Sequence, residues 1–285
     1  MPYYTAIGGS LVPSLFIKWT GGPPVTPEEI DSQIVQARAL DLPTIKSRVD
    51  AVPDNGRKLA IVGGGPSINV HIDTLKDWDG DIWTINGAYH WAAGRGIETT
   101  FIACDPHIIV ADWAKNVKKA LVTTRCHGKV FEVLKANDAT VKMFELDGEN
   151  RIMGGSSTAT ISAHIAICEG YKDVTYFGIE SSYQPGWSHA FMHERRDHEL
   201  IVEAAGEQFY TAPDYLIQAL EMSQFLRVST FKEESGGLLR ALIKDSGFRI
   251  IWVSEGLYKI LTPINGETAE LPTPFPVPIR DAVAA

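Results

Sequence analysis

Residues 59–67 read Leu-Ala-Ile-Val-Gly-Gly-Gly-Pro-Ser, and this stretch decides the fold. A short apolar run ends in Gly63, Gly64 and Gly65, and Pro66 and Ser67 then open a predicted helix or turn. A strand that delivers the chain to a helix start through glycines is a natural anion site. Glycine lets backbone approach the anion closely, and free amides with the positive helix end hold it. The same residues also serve as a plain tight turn. The loop is neither of two common phosphate motifs. No Lys-Ser/Thr follows, as a Walker A loop requires, and Ile68 stands where a Gly-x-Gly-x-x-Gly fingerprint needs its last glycine.

Outward from that loop the pattern alternates. Strands are expected at 59–62, 82–85, 99–103, 120–123, around Val130, 141–144, 174–177 and 248–253. Helices or turns are expected at 68–75, 88–95, 107–119, 157–169, 213–226 and 237–244. Strands separated by helices imply parallel pairing and right-handed crossovers. The fold class is therefore α/β, a doubly wound, mostly parallel Rossmann-like sheet. Residues 1–55 read as an irregular N-terminal arm with one helix from Pro27 to about Leu40, capped by Thr26. Residues 56–262 read as the nucleotide-binding domain, with a polar lid at about 181–212. Residues 263–285 form a Pro-rich extended tail.

In such a sheet, ligands bind beyond the carboxyl ends of the strands. Asn86 and Asp105 end two strands there. Asn86 suits a base or ribose, and equally a turn. Asp105 suits a divalent metal, a ribose hydroxyl or an Asp-Pro turn. Gly154-Gly155-Ser156-Ser157-Thr158 opens a helix of small residues and offers a second set of amides, or simply a good helix start. Gly178 and Glu180 end a further strand. Behind them lies a loop dense in protic groups: Ser181, Ser182, Tyr183, Ser188, His189, His193, Glu194, Arg195, Arg196, Asp197 and His198. His189 and His193 are candidates for general acid–base work. The two arginines suit a phosphate or carboxylate clamp, or a solvated charge run.

Composition narrows the choice. The chain has 285 residues, 45% hydrophobic and 21% charged, which is globular. A net charge of −9 argues against a broad nucleic-acid surface, though not against a local basic pocket. Cys104, Cys126 and Cys168 lack metal spacing and read as reduced core thiols. No apolar run approaches the ~20 residues of a membrane span. A soluble, cytoplasmic protein is expected, and a homo-oligomer is allowed, with the arms suiting assembly contacts.

The motifs recur in a known order: Ile61-Val-Gly-Gly-Gly-Pro-Ser67, Thr84-Ile-Asn-Gly-Ala88, Arg95-Gly-Ile97 and Phe101-Ile-Ala-Cys-Asp105. Then come Gly154-Gly-Ser-Ser-Thr-Ala-Thr160, Gly170-Tyr-Lys-Asp-Val174, Tyr176-Phe-Gly-Ile-Glu-Ser-Ser-Tyr183 and Ser188-His-Ala190. Over residues 58–192 this resembles the Rossmann-like family named for the archaeal 6-hydroxymethylpterin diphosphokinase. That MptE-like family also takes in motility-accessory proteins that glycosylate flagellin, and phage-borne members. The same set is similar to bacterial sialyltransferases that use CMP-sugars, with His189 the nearest counterpart of their catalytic base. Glu180 stands where family members usually have Asp. The resemblance implies a nucleotide-dependent transferase. One chemistry moves a sugar from a CMP-type donor to a hydroxyl acceptor. The alternative transfers diphosphate from ATP to a hydroxymethylpterin-like substrate, with Mg2+ held by Asp105. A non-catalytic nucleotide-binding or phage assembly protein is the third reading.

Overall fold

The computed structural model describes residues 4–7, 10–13, 25–47, 52–148, 151–152, 154–183, 189–191 and 199–253. Two short N-terminal strands, β1 (Tyr4–Ile7) and β2 (Ser10–Pro13), pair antiparallel. Helix α1 (Pro27–Arg38) follows. Thr26 accepts from the Glu29 amide at 3.2 Å, and the Glu29 carboxylate accepts from the Thr26 amide at 2.7 Å, closing a capping box.

The body of the protein is an eight-stranded sheet. Its strands are β3 (Thr44–Ile45), β4 (Lys58–Val62), β5 (Asp81–Ile85), β6 (Thr100–Ala103), β7 (Lys119–Thr123), β8 (Thr140–Phe144), β9 (Asp173–Phe177) and β12 (Lys232–Glu233). Their spatial order is β12-β9-β4-β5-β6-β7-β8-β3, and every pair is parallel. This is the doubly wound sheet expected from the sequence. Alternation along β4 shows how it is covered. Leu59 and Ile61 enter one core with α6 (Thr158–Cys168), α7 (Pro213–Val228) and α8 (Gly237–Lys244). Ala60 and Val62 enter another with a 3-10 helix (Pro66–His71), α2 (Ile72–Lys76) and α3 (Ala88–Ala93). Further along that second face, α1, α4 (Val110–Trp113) and α5 (Gly128–Ala136) cover β6 and β7. A parallel strand buried on both faces needs an unbroken apolar run, which is why 59–62 carries no polar residue.

Beyond the short strands β1, β2, β3 and β12, which the sequence reading did not expect, the structure departs from it in four places. Val130 lies in α5, not in a strand. Val130, Phe131 and Leu134 bury one face of that helix, and His127 Nδ1 accepts from the Lys129 amide at its start. The helix expected over 107–119 is reduced to α4, because Asn116 adopts φ 63° and the chain turns into β7. Two strands in the predicted lid region, β10 (Leu200–Ala204) and β11 (Glu207–Thr211), form a hairpin. Ala205 and Gly206 supply its turn with φ 51° and 80°, the geometry of a two-residue hairpin loop. Finally β13 (Phe248–Val253) pairs antiparallel with β10, giving a separate three-stranded sheet in the order β11-β10-β13. Leu200, Val202 and Ala204 pack this small sheet onto Leu216, Leu238 and Leu242 of α7 and α8.

Candidate functional site

The chain lays down β4 to β8 in one direction and then crosses back through α6 to place β9 on the other side of β4. The loops after β4 and β9 therefore leave the sheet edge at its switch point, where a doubly wound sheet opens its ligand crevice. Gly63–Ser67 and Gly178–Glu180 meet there. The amides of Gly63 and Gly65 donate to the carbonyls of Phe177 and Gly178, each at 2.8 Å. The fit leaves no room for side chains. A Cβ at Gly65 would overlap the Glu180 carboxylate, and one at Gly63 would overlap the Gly178 carbonyl. Gly178 itself needs φ 66° to make the turn.

Glu180 is the central group of this corner. Its carboxylate accepts from the Ser67 amide at 2.8 Å and from Ser67 Oγ at 3.0 Å. Its residue is 5% exposed. Burial pushes its pKa above the usual carboxylate value, opposed by the bonds from Ser67. The second glycine-rich start behaves alike. Glu221, from α7, accepts from the Ser156 amide at 2.8 Å and from Ser156 Oγ at 2.9 Å, and its carboxylate fills the space beside Gly155. Ser157 and Thr160 cap each other at the start of α6. Both stretches read as anion sites thus hold a carboxylate of this chain, as positive helix ends favour.

The neighbouring strand ends complete the edge. Asn86 sits in left-handed backbone, φ 49°, and its Oδ1 is buried without a hydrogen-bond partner. Asp105 Oδ1 accepts from the His107 amide at 2.8 Å and from His107 Nδ1 at 2.7 Å. Among the described residues no three His, Cys, Asp or Glu gather to hold a metal ion. Asp105 alone does not make a protein-held Mg2+ centre. Arg125 binds Asp147 through Nε at 2.7 Å and Nη2 at 2.5 Å. The Arg125 bond holds the Asp147 carboxyl below the usual range. Burial pushes the Cys104 thiol up to about 12 and raises the Cys126 thiol well above its ordinary value. Both are free, neutral thiols and poor nucleophiles.

His189 lies over the first loop. A Cβ at Gly64 would come 2.9 Å from His189 Cδ2 and 3.0 Å from Phe191 Cζ. The Ala190 amide donates to the Gly64 carbonyl at 2.9 Å. His189 Nε2 is 3.1 Å from Tyr215 Oη. Rings continue on either side, with His189–Phe191 at 5.4 Å and Tyr183–Tyr215 at 5.7 Å. His193, Ser188, Glu194, Arg195, Arg196, Asp197 and His198 lie outside the described residues. The structure therefore brings together Gly63, Gly64, Gly65, Pro66, Ser67, Gly178, Glu180 and His189. Asn86, Asp105 and the Gly155–Thr158 start lie along the same sheet edge. Sequence reasoning missed Tyr215, Glu221 and His107. Only His107 carries a local signal, since Asp-Pro-His is an Asx turn in which the carboxylate meets the imidazole.

No family model matches the chain, and no curated protein does either. Two solved sialyltransferases are similar to it. The sialyltransferase CstII from Campylobacter jejuni, in complex with the substrate analogue CMP-3FNeuAc, aligns at 17% identity with a TM-score of 0.29. That alignment covers 49% of this chain and 65% of the other, so the chain spans a little under two thirds of the enzyme's length. A mammalian sialyltransferase aligns at 12% identity with a TM-score of 0.38, covering 76% of this chain and 82% of that one. Among the described residues no helix is long and apolar enough to cross a membrane.

Proposed function

We propose that the protein is a nucleotide-dependent transferase that moves a sugar from a CMP-type donor to a hydroxyl acceptor. The observation that carries this reading is the meeting of His189 with Gly64 at the switch point of the parallel sheet. A basic imidazole against a glycine-rich, amide-bearing loop is what sugar transfer from a nucleotide requires. The donor phosphate takes the Gly63–Ser67 corner in exchange with Glu180, or beside it when Glu180 is protonated. Asn86 Oδ1, buried and unpartnered, accepts from a ribose or base donor. Gly155–Thr158 faces the same edge from the start of α6, and Asp105 supports the ribose side.

In the transfer step His189, with His193 as the alternative base, takes the proton of the acceptor hydroxyl. The acceptor oxygen bonds the anomeric carbon. The bond from that carbon to the phosphate oxygen breaks, and its electron pair leaves with CMP. Base catalysis of this kind contributes about 10²–10⁴-fold, and fixed donors at the departing phosphate contribute more.

A thermal-shift screen with CMP, CDP, UDP, GDP, AMP and ATP, each with and without Mg2+, tests the reading. A ligand at 100 times its Kd stabilises by about 2.7 kcal/mol. CMP is expected to give the largest shift without metal. A shift confined to ATP with Mg2+ would favour diphosphate transfer instead, and no shift with any nucleotide would overturn both.

A further inference from the structure

The turns that follow β4 and β5 lie side by side at the sheet edge, because those two strands pair in parallel. One side chain of the protein itself is wedged between them. A Cβ at Gly64 would come 3.0 Å from Phe191 Cζ and 3.3 Å from its Cε1. A Cβ at Gly87 would come 3.2 Å from Cε2 of the same ring and 3.3 Å from Cζ. One edge of the ring thus faces Gly64, the other faces Gly87, and the tip lies between. Ala190 and Phe191 are partly buried against the cluster that contains Ala60, Val62, Ile68 and Trp91. The Ala190 amide donates to the Gly64 carbonyl at 2.9 Å.

Two features set this ring apart from an ordinary apolar latch. It covers the backbone of two glycine turns, the surface that a ligand can approach most closely. Asn86, next to Gly87, also keeps a buried Oδ1 with no hydrogen-bond partner, and a phenyl ring has no donor to offer it. An acid and a ring of this chain therefore hold adjoining parts of one crevice, Glu180 on Ser67 and Phe191 on Gly64 and Gly87.

We propose that Phe191 is an internal occupant of the nucleotide crevice: in the free protein its ring fills the space between Gly64 and Gly87, and a nucleotide binds only once the ring has swung out. The bond from Ala190 to Gly64 is made by the main chain, so the side chain can leave while His189 stays beside the loop. The inference rests on the transferase reading for the identity of the ligand, whereas the placement of the ring is testable without one.

Two measurements on the full chain decide it. In calorimetry, Phe191→Ala should bind CMP about five- to tenfold tighter than wild type, because burial of the ring no longer holds down the open fraction. Equal affinity overturns the proposal, and so does weaker binding, which would make the ring a ligand contact. The second measurement needs no nucleotide. Gly87 has φ −59° and ψ −16°, which alanine adopts without strain. Beyond its own turn, among the described residues only Phe191 comes within 4 Å of the added methyl. Gly87→Ala should therefore be less favourable to Tm in wild type than in the Phe191→Ala background, by about 2 °C or more. Equal effects in the two backgrounds would remove the ring from Gly87 and overturn the proposal. Should neither protein bind CMP, the transferase reading falls, while the Gly87 comparison still decides where the ring sits.

Discussion

Glu180→Gln is the substitution with the clearest expected outcome. The wild-type carboxylate holds the Ser67 amide and hydroxyl in the corner proposed for a nucleotide phosphate. Two anions cannot share that corner without cost. At about 4 Å and an effective dielectric near 20, like unit charges repel by about 4 kcal/mol. That is up to about three decades in Kd. Glutamine keeps the Ser67 amide bond through Oε1 and donates to Ser67 Oγ through its amide, so the loop stays formed. Calorimetry at pH 7.5 should therefore show CMP binding at least tenfold tighter in Glu180→Gln than in wild type. The proton balance gives a second reading. Burial raises the Glu180 pKa in the folded state above its ordinary value of 4.5. The folded state then holds the proton more tightly than the unfolded one. The stability this contributes is full below the unfolded pKa and is lost as pH rises through the folded pKa. Wild type should take up a proton when CMP binds, seen as a heat that varies with the ionisation enthalpy of the buffer, and Glu180→Gln should not. Equal affinities in the two proteins, with buffer-independent heats in both, would refute the reasoning.

Other outcomes follow from single residues. Gly64→Asp drives a side chain into His189 and Phe191 and adds negative charge at the loop, so the CMP thermal shift should vanish while the protein remains folded by circular dichroism. Ile61→Ala opens a cavity in a fully buried position of β4 and should cost about 2–5 kcal/mol in urea denaturation. Ala205→Gly relieves φ 51° in the β10–β11 turn and should raise Tm by about 2–4 °C. Burial lowers the His164 pKa, so its neutral form is favoured on folding. The stability His164 contributes is present above its unfolded value of 6.5 and is lost as pH falls through the lower folded value. His164→Gln should flatten the fall in Tm on acidification over that range.

Particular residues show how much the sequence disclosed. The runs at 59–62, 82–85 and 174–177 are buried almost throughout, broken only by Thr84 and Thr175, and runs this apolar are visible in any single sequence. Gly63–Ser67 is legible because its glycines answer a local need. The Val130 region is not, because Val, Phe, Val and Leu within five positions suit a strand or one helix face equally, and only packing onto β6 and β7 decides. The β10–β11 hairpin was missed although its alternation is regular, because an Ala-Gly turn is weaker than Asn-Gly and Ala205 adopts a conformation alanine rarely takes. The site divides the same way. Glu180 is visible as a strand-end acid. Its reach onto Ser67 depends on the register of β9 against β4, which no local pattern encodes. Glu221 and Tyr215 are ordinary helix residues until α7 is docked.

The most direct test is a crystal structure of the full chain with CMP bound. The phosphate is expected against the Gly64 and Ser67 amides, with His189 beside it and the Glu180 side chain moved off Ser67 or sharing a proton with the phosphate. A nucleotide bound elsewhere, with Glu180 still holding both Ser67 groups, would contradict it.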